Sequence, residues 1–324
     1  MSSAPGKISG MNARYQAVLL IAFGGPACPE EIRPFLARVT QGSPIPPERL
    51  EEVALHYEAV GGKSPLNEIT FRQAEALKRV LHEQRLPFPV YVGMRNANPF
   101  FIEALKQMAD DGIQRALGFI LSSHQSEAGW DRYQKNVADA RAQLGFAAPQ
   151  VDYCAGWHDH PLFIQTWTEL VQASFAEIPA RDRPTAHLIF TAHSLPVAMA
   201  SGSPYVEQFE TTARLIAARL GQERWSLAYQ SRSGKPTDSW LEPDIGDTIR
   251  KLALDNCQDI VVAPIGFVCD HVEVLYDLDI EARKIAKDCG VTMWRAGCPN
   301  DHPLFIHMMA NVIEQKLKAV EDRG

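Results

Sequence analysis

Short apolar runs alternate with long segments of helical periodicity along almost the whole chain, and few architectures accommodate that order. The runs are AVLLIAF (17–23), PVYVGM (89–94), RALGFIL (115–121), HLIFTA (187–192), WSLAYQ (225–230) and DIVVAPIGFV (259–268). They are apolar nearly throughout instead of alternating with polar residues, as in strands buried on both faces. Around them lie EIRPFLARV, ITFRQAEALKRVLHEQ, FIEALKQMADD, YVEQFETTARLIAARL and FIHMMANVIEQKLKAV, whose apolar residues recur at helical spacing. Strand and helix in strict alternation imply a parallel sheet covered by helices on both faces, an α/β fold.

A literal repeat adds internal symmetry. DHPLFI occurs at 159–164 and again at 301–306, each time opening a helical segment with proline just past a polar residue, which is sound helix-start chemistry. The stretch ADDGIQRALGFILSSH ahead of the first copy parallels ALDNCQDIVVAPIGFVCDH ahead of the second. The chain is therefore expected to form two similar halves, 1–182 and 183–324, each ending in a helix. The cleft between them, near the carboxyl ends of the strands, is the expected site.

Composition narrows the function classes. The 324 residues suffice for two cores, and 46% hydrophobic with 22% charged residues is ordinary globular composition. A net charge of −7 without basic tracts argues against nucleic-acid or anionic-membrane partners. The opening MSSAPGKISGMNARYQ lacks the apolar core of a signal peptide, and no apolar run approaches the roughly 18 residues that span a bilayer. Cys28, Cys154, Cys257, Cys269, Cys289 and Cys298 contain no CxxC pair and read as reduced or buried thiols. A cytoplasmic monomer is expected.

Four stretches fall where such a sheet presents chemistry. FGGPA (23–27) follows the first strand; a GG turn can cradle phosphate, but GxGxxG is absent and a plain tight turn is the simpler account. SSHQS brings His124, and TAHSLP brings His193, to strand ends, where each is either a structural histidine or a ligand. The fourth, CDHVEVLYDLDIE (269–281), puts five carboxylates and one histidine into thirteen residues. At about 100° per residue of a regular helix, Asp270, Glu273, Asp277 and Glu281 form one stripe beside the apolar face, and Asp279 points away towards solvent. Helix-dipole stabilisation of Asp270 and Glu273 and an i,i+3 pairing of Glu281 with Lys284 are the bland alternatives; His271 reads as structural. Imidazole facing carboxylates suits a divalent transition metal such as Fe²⁺. No HExxH or three-ligand spacing marks a tightly held ion, so loose ligands suit a metal that passes through.

Over essentially its whole length the chain resembles the ferrochelatases. The motifs, in order, are LLIAFGGP (19–26), HYEAVGGKSPLNEIT (56–70), YVGMRNANPF (91–100), FTAHSLP (190–196), YQSRSGKPTDSWLEPD (229–244) and PIGFVCDHVEVLYDLDIEA (264–282). The likeness runs to the coproporphyrin-using bacterial branch. PFLARVTQGSPIPPERLEEVALHY stands where protoporphyrin enzymes carry an apolar, membrane-associated lip, and SSHQSEAGWDRY replaces a YPxYSxST-like motif.

The resemblance implies two Rossmann-like, chelatase-like halves and insertion of Fe²⁺ into a porphyrin held in the cleft, coproporphyrin III giving coproheme in heme biosynthesis. It implies that His193 is the metal-side histidine and pyrrole proton acceptor, with Glu273 its catalytic partner across the macrocycle. Asp277 and Glu281 follow as a line of acids along a distorted helix, so that these four residues are the implied metal contacts. Phe23, Tyr57, Ser64, Arg95 and Tyr133 match porphyrin-contacting positions. Two departures matter: Phe23 stands where some relatives have a tyrosine above the metal, which excludes an axial phenolate there, and Thr40 stands where certain relatives have an arginine. The chain ends at 320–324 without a cysteine-bearing tail, and its cysteine spacing fits no iron–sulfur pattern. No cluster and no tightly bound cofactor are expected, Fe²⁺ being a substrate. The alternatives are protoporphyrin IX as the porphyrin, a non-catalytic tetrapyrrole or metal carrier, and a phosphate-handling protein built on FGGP. A cobalt chelatase would share the architecture, but SPLN and YQSR favour the iron branch.

Overall fold

The apolar runs become strands, and every strand pairs in parallel. The structure, a computed structural model, describes residues 15–42, 45–233 and 238–321. The segment before residue 15, the tip of QGSPIPP at 43–44, the GKPT of YQSRSGKPTDSW at 234–237 and the last three residues lie outside the described residues, and so do the expectations drawn from them. In the first sheet β1 (Ala17–Ala22) lies between β2 (Val90–Met94) and β3 (Arg115–Ile120), with β4 (Gln150–Tyr153) beyond β3. The second sheet repeats that order: β5 (His187–His193) lies between β6 (Trp225–Gln230) and β7 (Asp259–Ala263), with β8 (Thr292–Arg295) outside. Every residue of β1 and β7 is buried, as strands covered on both faces require.

Strands β4 and β8 have no apolar run behind them. QVDY and TMWR sit at sheet edges, largely half-exposed, and are strands because β3 and β7 offer them a ladder. The run 259–268, expected to be one strand, divides at Pro264. Proline has no N–H to donate to the ladder, and the chain then crosses the end of β5 so closely that a Cβ on Gly266 would lie 2.6 Å from the Ala192 Cα. Ile265 to Val268 therefore leave the sheet for the cleft.

The DHPLFI repeat marks equivalent helix starts. His160 accepts the Leu162 N–H at 3.2 Å ahead of the helix Pro161–Glu177, and His302 accepts the Leu304 N–H at 3.3 Å ahead of the helix Pro303–Glu321. Histidine is thus the cap in both copies, satisfying a helix-end N–H that has no partner within the helix. Each cap also reaches the other helix, His160 Nε2 lying 2.9 Å from Asn311 Oδ1 and His302 Nε2 3.7 Å from Glu169 Oε2.

These two helices change places. The helix that closes the first half packs on β7 and β8, while the one that closes the second packs on β3 and on the helix Leu66–Glu83. A cut at 182 separates the sheets but not the helices, and one apolar core runs through both halves. Trp157 stands at its centre, stacked on Phe119 at 5.7 Å and edge-on to Phe163 and Phe305. Aromatic pairs of this kind add about 0.5–1.5 kcal/mol each beyond the area they bury. The two sheets are thereby held in a fixed relation, with their carboxyl ends turned towards one cleft. Among the described residues no helix is long and apolar enough to cross a membrane.

Candidate active site

A cleft of about 730 Å³ is lined from both halves by residues at the ends of β1, β3, β5, β6 and β7. His193, the last residue of β5, faces Glu273 across it, Nε2 to Oε1 at 3.7 Å. The imidazole Nδ1 donates to the Ser194 carbonyl oxygen, which leaves the lone pair of the neutral ring on Nε2, the nitrogen facing Glu273. Tyr205 donates its hydroxyl to the His193 carbonyl at 2.9 Å and fixes the strand end. Burial by itself would raise the Glu273 carboxyl, but His193 and His271 outweigh it and hold the group down at about 2. His271, expected to be structural, belongs to the cleft wall with its Nε2 3.5 Å from Glu273 Oε2. The acid therefore stands between two imidazoles.

The acidic stretch is not one regular helix. It is α-helical at Val272–Leu275, becomes a π-helix at Asp277–Ala282, and returns to α at Arg283–Asp288. The wider turn, in which the Glu281 N–H reaches back five residues to the Tyr276 carbonyl at 3.0 Å, replaces the 100° spacing assumed above. Glu273, Asp277 and Glu281 all line the cleft. Asp270 leaves the stripe, because its carboxylate is taken by Arg295 at 3.1 Å and Asn300 at 2.7 Å. Asp279 is not solvent decoration, since it accepts from Arg295 Nε at 2.8 Å.

The two inner acids of the row titrate apart. Asp277 is pushed up to about 8, first by burial and then by the charges of Glu273 and Glu281, against the opposing hydrogen bond from Ser231 and the charge of Arg49. Glu281 is also raised, mainly by burial. One site thus holds an ionised carboxylate beside a carboxylic acid, which is the separation that assigns different tasks to like groups. Among the described residues no three His, Cys, Asp or Glu side chains are grouped closely enough to hold a metal ion together. Burial raises the thiols of Cys154 and Cys269 to about 12.

Phe23, Tyr57, Ser64 and Tyr133 all line the same cleft. Burial raises both phenols above the usual tyrosine range, so that they remain neutral donors. Tyr133 sits just past a second π-helix, Glu127–Asp131, which follows β3 as the acidic π-helix follows β7. Arg95 does not line the cleft; its N–H is used on the Ala22 carbonyl, and burial lowers its guanidinium. Arg49, Arg132 and Arg232 are the arginines of the wall, and sequence patterning gave no reason to select them. Thr40 is also in the wall, with its hydroxyl committed to the Leu36 carbonyl at 2.8 Å.

The remaining candidates are structural. The Gly25 N–H donates to Asn67 Oδ1 and its carbonyl accepts from Asn67 Nδ2, each at 2.8 Å. A Cβ there would lie 2.6 Å from Ser64, so FGGP is a turn sewn to the SPLN segment and not a phosphate cradle. His124 is buried between Ser123 and Thr212 and is pushed down to about 3 by burial. Ser231, which grips Asp277, escaped sequence reasoning although it directly follows the run WSLAYQ.

A ferrochelatase family model matches residues 15–317. A coproporphyrin III ferrochelatase of Mycolicibacterium smegmatis is 40% identical over 312 residues, 95% of this chain and 92% of that protein. A ferrochelatase of Rhodopirellula baltica is 37% identical over 310 residues, 95% and 88% of the two chains. In fold, the chain resembles SirB from Bacillus subtilis, solved with Fe³⁺, at a TM-score of 0.60 and 10% identity, over 95% of this chain and 98% of that one.

Proposed function

The chain belongs to the ferrochelatase family, and on that premise we propose that it inserts Fe²⁺ into coproporphyrin III, giving coproheme for heme biosynthesis, as a cytoplasmic monomer. The observation that carries the reading is the His193–Glu273 pair, facing at 3.7 Å inside a cleft that also holds Asp277 and Glu281. Insertion must strip water from Fe²⁺, remove two pyrrole protons and admit the ion to the ring. His193 Nε2 takes the pyrrole protons in turn, the Glu273 carboxylate stabilises the imidazolium that forms, and His193 releases each proton to solvent; a positioned base of this kind contributes roughly 10²–10⁴-fold. Glu281 and Asp277 exchange carboxylate oxygens for metal-bound water stepwise, holding the ion too loosely to trap it. The names of the mycobacterial relatives support coproporphyrin III, and so do Arg49, Arg132 and Arg232 in the wall, since a tetracarboxylate calls for more cationic partners than a porphyrin with two propionates.

Initial rates with coproporphyrin III and protoporphyrin IX under anaerobic Fe²⁺ test the assignment. Faster turnover of protoporphyrin IX refutes the substrate, and stoichiometric binding without metallation makes the protein a carrier. The acid row has its own signature. Asp277 holds a proton below about pH 8 and must lose it to bind iron, so the apparent KM for Fe²⁺ falls as pH rises towards 8, by roughly tenfold per unit. Asp277→Asn should raise KM and flatten this dependence. Glu281→Ala should raise KM with a smaller loss in kcat. An unchanged iron dependence in both variants would remove the row from iron delivery.

A further inference from the structure

Gln230, the last residue of β6, is the neighbour of His193 in the parallel ladder, and its backbone carbonyl accepts the Ser194 N–H at 2.8 Å. Its side chain turns the other way, and Nε2 donates to the carbonyl of Glu273 at 2.6 Å. The amide cannot rotate freely, because Oε1 accepts the hydroxyl of Thr191 at 2.7 Å. Gln230 and Thr191 are 1% and 0% exposed, so the bond between them is closed to water. One buried residue therefore holds the strand of His193 by its backbone and the helix of Glu273 by its side chain. The bond to Glu273 falls just before the α-helix gives way to the π-helix, where a side chain inserted into the helical ladder stabilises an irregular turn.

We propose that Gln230, locked in orientation by Thr191, is a positioning residue for metal insertion that sets the separation of His193 and Glu273 and holds the start of the π turn. This rests on the assignment of proton transfer to that pair, and Gln230 itself does not touch the porphyrin cleft. The strand β5 and the acidic helix also share the apolar core, where Ala192 and Val274 are buried, but Gln230 links them by hydrogen bonds at the level of the His193–Glu273 pair. A displacement near 1 Å at such a pair costs on the order of 10²-fold in rate.

The test uses the full chain with Gln230→Met, Thr191→Val and Thr191→Ser. Methionine keeps the length of glutamine without its hydrogen bonds, valine keeps the shape of threonine without its hydroxyl, and serine restores the hydroxyl. Hydrogen exchange over 272–283 is measured without porphyrin, and anaerobic Fe²⁺ insertion is measured per porphyrin-binding site. We expect exchange in that segment to quicken roughly tenfold in Gln230→Met and Thr191→Val. In both, kcat should fall roughly 10–100-fold with the porphyrin KM within about twofold, and Thr191→Ser should behave as wild type. Unchanged exchange in both variants overturns the proposal, as does a loss of kcat matched by an equal loss of porphyrin binding, or a serine variant that fails to recover. The exchange measurement needs no substrate, so it judges the positioning role even if the wild-type protein metallates no porphyrin, a result that would sink the functional assignment instead. Thr191→Val, a substitution of near-equal volume, carries the test if the methionine variant does not fold.

Discussion

Replacing His193 by alanine lowers Fe²⁺ insertion by roughly 10²–10⁴-fold and leaves porphyrin affinity within about threefold of wild type, since the cleft walls supply the binding. The imidazole is the one group at the end of β5 whose lone pair faces Glu273, its other nitrogen being committed to Ser194. Alanine leaves the Tyr205 bond to the backbone carbonyl intact, so the strand end keeps its place and the loss is chemical. Fluorescence quenching on porphyrin binding and absorbance on metallation separate the two quantities in one cuvette. Wild-type turnover in this variant would falsify the assignment of His193 as base.

Glu273→Gln is the second large effect, a loss of roughly 10²–10³-fold in kcat with tetrapyrrole binding preserved. Glutamine keeps the shape and can still touch both imidazoles, but it cannot carry the negative charge that stabilises protonated His193 and meets an arriving cation. The same substitution changes acid stability. Because the folded-state carboxyl is held at about 2, below its ordinary 4.5, its ionisation stabilises the fold above pH 4.5, and that contribution is lost as pH falls through 2. Glu273→Gln should therefore be less stable than wild type at pH 6, and the gap should close on acidification. A constant gap in unfolding midpoint from pH 6 down to about 3 would show that the two histidines do not hold the charge.

Asp277 runs the opposite way. Its carboxyl is raised from the ordinary 3.8 to about 8, so the fold loses stability progressively as pH rises from 3.8 towards 8, and the full cost stands above 8. The protein keeps a destabilising acid four residues from a stabilising one, on either side of the point where the α-helix gives way to the π-helix.

Much of the site could be read before the fold was known. His193 stood out at the end of one apolar strand and Glu273 as one of a row of carboxylates leaving another; only their combination suggested a site, and their separate roles came from the resemblance to the ferrochelatases. Asp270 and Asp279 were misplaced for one reason. A helical wheel assumes constant rotation and knows nothing of Arg295, which arrives from β8 to neutralise both. The place of His271 in the cleft wall was not legible, because local sequence does not reveal that Glu273 turns back towards it. Gln230 and Thr191 lay inside motifs that carry the family resemblance, but nothing local distinguished them from ordinary polar residues in a strand-like run.

Sequence alone determined the alternation of buried strands and amphipathic helices, the internal repeat, and the two strand ends that bear chemistry. These are local properties: continuous apolarity reports burial on both faces, and a capped helix start reports itself within a few residues. Tertiary structure alone decided that edge strands form from QVDY and TMWR, that the closing helices change places between the sheets, and that the acidic helix opens into a π turn. Each of those outcomes depends on a partner far along the chain. A ladder needs a neighbouring strand, the exchanged helices need the opposite sheet, and the π turn needs Gln230 and Ser231, more than forty residues away, to hold Glu273 and Asp277.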